Sequence, residues 1–326
     1  MGTRNVTSVI LNKKQVVCQY GQWDGYPSYA GVKILEFLRD AGLERFKSAL
    51  ANTMLSVNSY NDANYYTGST KDIDSLFQYV MKEQIMLNSS RKPEESYMGT
   101  YATVKHMLDT NKLTPQQADD FLASTRDTGC EILSYIYDRD LDCSPLQLFA
   151  IEDEYNGNYS FDIQGIYVID LDEMSVRMQF NGYAREYSIH DLPGQIDLEM
   201  QVYEEVTRKI DELRYEHFDF SVLVADAQSD VLTGQLKVKA TELALKVAEE
   251  IKKNYSELLP DKTKPLRAED FGLDYIYAQL REKALACKQT QKSNLETLMQ
   301  SAEETKAQSS VAPEPLSSKP KPDLDR

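Results

Sequence analysis

Cysteine, histidine and tryptophan are scarce in this chain: its 326 residues include four, three and one of them. Cys18, Cys130, Cys143 and Cys287 form no Cys-x-x-Cys pair, which excludes the common zinc and dithiol redox patterns. The imidazole bases are His106, His190 and His217, and no local signature ties one of them to Cys18 as a nucleophile–base pair. No apolar run approaches the roughly 20 residues of a membrane span. The phosphate-binding P-loop, the dinucleotide glycine motif and the Gly-x-Ser-x-Gly elbow are all absent. Positive charge is in deficit as well, with 36 Lys and Arg against 52 Asp and Glu and a net charge of −16. Such a surface repels phosphates, which excludes nucleic acid bound through its backbone. The acidity reads either as solubility through self-repulsion or, more sharply, as DNA mimicry or a surface for a basic partner. The opening Met1-Gly2-Thr3-Arg4-Asn5-Val6 turns polar too soon for a secretion signal, so reduced thiols and a cytoplasmic location are expected. Asp138-Arg139-Asp140-Leu141-Asp142 begins like a calcium loop, but Cys143 stands where glycine is needed and Phe149 where glutamate is needed. No metal and no cofactor are expected.

What is present is a clear set of local signals. Val6 to Leu11 and Gln15 to Tyr20 read as a hairpin, and a helix after Pro27 should bury Val32, Leu35, Phe37 and Leu38. Ile73, Leu76, Phe77, Val80 and Met81 form another helical stripe. Thr114, Pro115 and Gln117 make a capping box, opening a stripe that runs through Gly129 to Ile136. Residues 163 to 190 carry the strongest strand signal. There Asn181-Gly182 should close a hairpin that sets Phe180 beside Tyr183, Val176 beside Tyr187 and Met178 beside Arg185. Beyond Leu192-Pro193-Gly194 the pattern turns helical, with stripes Tyr203, Val206, Ile210, Leu213 and Leu236, Leu243, Val247, Ile251. From about residue 300 the composition turns to Ser, Pro, Lys, Ala and Glu, as in disordered tails. The expected fold is α+β. An antiparallel sheet, built from the N-terminal hairpin plus a meander over 163–190, packs with helices in an N-terminal unit (1–192). A helical extension (193–299) and a disordered tail (300–326) follow.

Arg4, Trp23, Asp24 and Tyr26 are the candidate ligand-binding residues. Trp and Tyr offer flat faces with a polar handle, Asp24 accepts from hydroxyl or amide groups, and Arg4 can fork onto a carboxylate or phosphate. The competing reading makes Trp23 a buried anchor between sheet and helix. In that reading Asp24-Gly25 is a plain turn, with Gly25 supplying the positive φ. Tyr60, Tyr65 and Tyr66 lie in an Asn-rich stretch and form a candidate interaction surface, since Tyr and Asn suit recognition at low entropic cost. Glu152, Asp153 and Glu154 form an acidic run that reads as a solvated loop.

Thr3-Arg4, the short hairpin and Tyr20-Gly21-Gln22-Trp23-Asp24-Gly25-Tyr26-Pro27 resemble a family of small phage and bacterial proteins. Its members carry a Thr-Arg start and a Trp-Asp-Gly-Tyr-Pro core before a helix. Many also carry a late segment similar to Ile166–Asp172 that opens a hairpin. The resemblance covers roughly residues 1–190 and implies a setting, a phage or prophage in a bacterial host cell, rather than a mechanism. Gln22 stands where many relatives have His, which argues against acid–base chemistry at that position. The expectation drawn from all this is a non-enzymatic accessory protein that binds a host protein or small molecule, an inhibitor of host defence being one form. The alternatives are an enzyme acting on a nucleotide-like small molecule near Trp23 and Asp24, and a structural or assembly role, with homo-oligomers, through the C-terminal helices.

Overall fold

The opening hairpin joins β1 (Arg4–Leu11) to β2 (Lys14–Gly21) through Asn12 and Lys13, both left-handed at φ 54° and 60°. This is the turn whose twist matches that of the flanking strands. The structure, a computed structural model, describes residues 3–58, 72–92, 98–124, 128–159, 163–215, 218–228, 234–259 and 273–289. The Tyr60, Tyr65 and Tyr66 surface and the tail expected after residue 300 lie outside these residues.

A π-helical turn over Pro27–Gly31 leads into α1 (Val32–Asp40), followed by α2 (Leu43–Ala51) and β3 (Thr53–Asn58). Next come α3 (Asp72–Ser89), α4 (Thr100–Asp109), α5 (Pro115–Ser124), α6 (Ile132–Asp138), β4 (Leu146–Ile151) and the short α7 (Glu152–Tyr155). Strands β5 (Ile163–Asp170), β6 (Ser175–Phe180) and β7 (Tyr183–Ser188) form the meander. The last described elements are α8 (Ile196–Tyr215), the short α9 (Val224–Ala227), α10 (Gly234–Asn254) and a helix over 273–289.

The class is α+β, with a five-stranded sheet ordered β2-β1-β5-β6-β7. It is mixed rather than wholly antiparallel, because β1 and β5 run parallel. The connection from β2 to β5 passes through α1 to α7 and a second sheet, and a crossover of that length permits parallel pairing. That second sheet, β3 paired in parallel with β4, has no counterpart in the sequence expectation. The meander keeps the expected register, Phe180 opposite Tyr183, Met178 opposite Arg185 and Val176 opposite Tyr187. Asn181 (φ 50°) and Gly182 (φ 82°) form its turn. The capping box forms too: the Thr114 N–H donates to Gln117 Oε1 (2.9 Å) and the Gln117 N–H to Thr114 Oγ1 (3.2 Å). The stripe from 114 to 136 is not one helix, however. Gly129, at φ +52°, lies between α5 and α6 and turns the chain toward β1.

One core cluster joins the sheet (Val9, Val17, Tyr167, Ile169, Val176, Met178) to α1, α4, α5 and α6. A second joins Val206, Ile210 and Leu213 of α8 to Leu236, Leu243, Val247 and Ile251 of α10 and to Ile276 and Leu280. Met200 and Tyr203 carry α8 into the first cluster. The Tyr203 hydroxyl donates to the Tyr183 carbonyl (2.6 Å) and locks the helix to the sheet.

Candidate functional site

Asn5 organises the Trp-Asp-Gly-Tyr-Pro segment. It lies in β1, buried, and its Nδ2 donates to the carbonyls of Gly21 (3.3 Å) and Trp23 (3.2 Å). Gly25 N–H donates to the Thr3 carbonyl (2.9 Å), and the buried Tyr167 hydroxyl donates to the Gly25 carbonyl (2.8 Å). The left-handed residue is Asp24 (φ 53°) and not Gly25 as expected. Gly25 is needed for close approach instead: a Cβ there would lie 2.7 Å from Asn5 Cβ and 2.8 Å from the Thr3 oxygen. Asp tolerates the left-handed conformation better than most side chains.

Trp23 is not the buried anchor of the packing reading, being 57% exposed. The segment is held by backbone and amide hydrogen bonds, which leaves the indole free to face outward. Tyr26 is also exposed and rests its ring on Phe180 (centroids 6.1 Å apart). Arg4 begins β1 opposite Ile163 of β5. Of the four candidates, Trp23 and Asp24 line a common cavity of about 300 Å³, and Arg4 and Tyr26 are not among the residues lining it.

Sequence reasoning did not find the rest of this cavity. Met81 and Gln84 come from α3, Gly99 and Thr100 from the start of α4, Thr128 to Glu131 from the approach to α6, and Tyr29 from the π-helical turn. Three buried oxygens on its lining residues have no hydrogen-bond partner: Asn5 Oδ1, Gln84 Oε1 and Thr128 Oγ1. Their residues are 2%, 3% and 2% exposed, which makes an unpaired polar atom at each one costly. The Gln84 amide is oriented by its Nε2, which donates to the Met98 carbonyl (3.1 Å), so its oxygen is left over.

Glu131 and Cys130 also line a second cavity of about 460 Å³, together with Lys33, Tyr101 and Asp138. Glu131 Oε1 accepts from Lys33 Nζ (2.7 Å) and its Oε2 from the Tyr101 N–H (2.9 Å). Gly99 makes room for that carboxylate, since a Cβ there would lie 2.6 Å from Oε1. Burial opposes the charge on Lys33, but the Glu131 carboxylate and the hydrogen bonds to Glu131 and Tyr29 outweigh it and hold the ammonium above its ordinary range. Burial, helped by the Glu131 charge, pushes the Cys130 thiol up to about 12, so it is protonated at neutral pH. Cys18 is buried as well, and burial with the nearby Glu154 charge pushes its thiol up to about 12. Neither cysteine is an activated nucleophile.

Among the described residues no group of three or more His, Cys, Asp or Glu is placed to hold a metal ion, and no helix is long and apolar enough to cross a membrane. Asp138 is engaged by Lys105 Nζ (2.7 Å) and the Tyr101 hydroxyl (2.5 Å). No family model, curated protein or solved structure matches the chain. The chemistry of the cavity therefore carries the functional reading. It offers hydrogen-bond acceptors, a carboxylate at Asp24 and an aromatic face at Trp23, in a volume suited to a small molecule.

Proposed function

We propose that this chain is a non-enzymatic binding protein that takes a small, ring-bearing molecule into the cavity beside Trp23. In the phage or prophage setting implied by the resemblance, the bound molecule is a host small molecule or a group presented by a host protein, and sequestering it is one way to blunt a host defence. The observation that carries the reading is that a cavity bordered by an exposed tryptophan counts among its lining residues Asn5, Gln84 and Thr128, each with a buried oxygen that has no partner. A ligand that pairs those oxygens recovers the desolvation they cost the unliganded protein. The two buried thiols are protonated and Glu131 is already held by two donors, which supports binding over catalysis.

The single tryptophan makes the test direct. A library of small aromatic and heterocyclic compounds is titrated while Trp23 emission is followed. Hits are then repeated with Gln84→Leu, which removes one of the unpaired oxygens. Saturable changes in emission, weakened in the variant, are expected; a library that leaves Trp23 unmoved would overturn the reading.

One observation favours the enzyme reading: Asp24 and Glu131 are two carboxylates on one cavity. Turnover of nucleoside-like compounds by the native chain, lost in a folded Asp24→Asn variant, would establish it.

A further inference from the structure

Resting on the proposal that this cavity binds a small molecule, we infer that its ligand presents a flat, cationic N–H group, an amidinium or guanidinium, to Asn5, Gln84, Thr128 and Asp24. The three unpaired atoms decide the polarity of the ligand. Asn5 Oδ1 and Gln84 Oε1 are carbonyl oxygens and can only accept, while Thr128 Oγ1 can accept or donate. An anion such as a phosphate or a carboxylate brings further acceptors and would leave both amide oxygens unpaired. A neutral ring offers few donors. An amidinium or guanidinium brings four or more N–H groups fixed in one plane.

Charge points the same way. Asp24 and Glu131 are carboxylates, and no Lys, Arg or His is among the described residues lining the cavity. Lys33 reaches Glu131 from the neighbouring cavity and offsets that charge, so Asp24 is the carboxylate with which a ligand cation would pair. The net charge of −16 adds a long-range pull on cations. The exposed indole of Trp23 supplies a face on which a planar cation stacks, which favours a guanidinium-like group over a compact ammonium.

Three compounds of one shape separate charge from fit: benzamidine, benzamide and benzoate. Each is titrated against the full chain with Trp23 emission as the readout, beside a short Gly-rich peptide with one central arginine. Benzamidine is expected to bind at least about tenfold more tightly than benzamide, because hydrogen bonds to a charged donor are roughly twice as strong as neutral ones. Benzoate should bind most weakly, and Asp24→Asn should remove most of the preference. If benzamidine binds and the peptide does not, the group belongs to a free small molecule; if the peptide competes equally, it belongs to a protein side chain. Both outcomes support the cationic class. Equal or tighter binding of benzamide or benzoate overturns it while leaving the cavity as a binding site. So does silence from all three when other library members move Trp23. A silent library would instead sink the underlying proposal of a binding cavity.

Discussion

Trp23→Ala separates a packed tryptophan from a displayed one. Emptying a fully buried aromatic site costs about 3–5 kcal/mol. Trp23 is 57% exposed, so under half of its surface is removed from water. Taking about 200 Å² for the whole side chain, roughly 85 Å² is shielded, and at about 25 cal/mol per Å² that amounts to about 2 kcal/mol. The figure is a ceiling, because the unfolded chain already shields part of that surface and alanine keeps the Cβ. The expected loss is therefore about 1–2 kcal/mol. The segment itself should persist, because Asn5 Nδ2 bonds the Trp23 carbonyl and not the indole. Urea unfolding followed by circular dichroism measures the loss, and native-state emission close to that of exposed indole is expected from the parent chain. A cost of 3 kcal/mol or more, with blue-shifted native emission, would refute the placement of Trp23 at an open cavity.

Gly182→Val should destabilise by about 1 kcal/mol or more. Nothing lies within 4 Å of its Cβ position, so the whole cost comes from forcing a β-branched residue to φ 82° in the meander turn. An unchanged denaturation midpoint would contradict this. Thr114→Ala removes one arm of the capping box that opens α5 and should cost about 1 kcal/mol, read from thermal unfolding. Lys283 makes a pH prediction. Its Nζ sits 4.3 Å from the Tyr183 ring centroid, and Asp211 Oδ1 is 3.6 Å away, beyond hydrogen-bonding distance. Burial lowers its pKa to about 8. The unfolded chain then holds this proton to higher pH than the folded one does, so Lys283 adds stability as pH rises from about 8 toward the ordinary lysine value near 10.4. Lys283→Met should flatten the stability profile between about pH 8 and 10 and raise stability at neutral pH. An unaltered profile would show that the ammonium is solvated.

Signals carried by a few adjacent residues are legible in the sequence. Asn181-Gly182 sets the register of β6 against β7 because only residues tolerant of positive φ close a two-residue turn. Thr114 and Gln117 mark the start of α5, and the apolar period of α8 and α10 picks out residues that form the second core cluster. Gly129 shows the limit of such reasoning. In sequence it continues a helical stripe; in the fold it breaks one, because its left-handed backbone leads the chain against Gly21 and Asn5, a contact made across more than a hundred residues. Gly25 is legible as a special position but for the wrong cause, since the Thr3 carbonyl it must approach belongs to another segment.

The sequence by itself determined the α+β class, the two hairpin turns and the buried stripes of α8 and α10, all set by interactions over a few residues of chain. Tertiary structure alone decided the parallel pairing of β1 with β5, the small β3–β4 sheet, the outward face of Trp23, and the meeting of Asn5, Gln84, Thr128 and Glu131 around one cavity. The reason is that each of these depends on where a long crossover returns. Periodicity records which face of an element is buried, but not which distant element covers it or which polar atoms stay unpaired there.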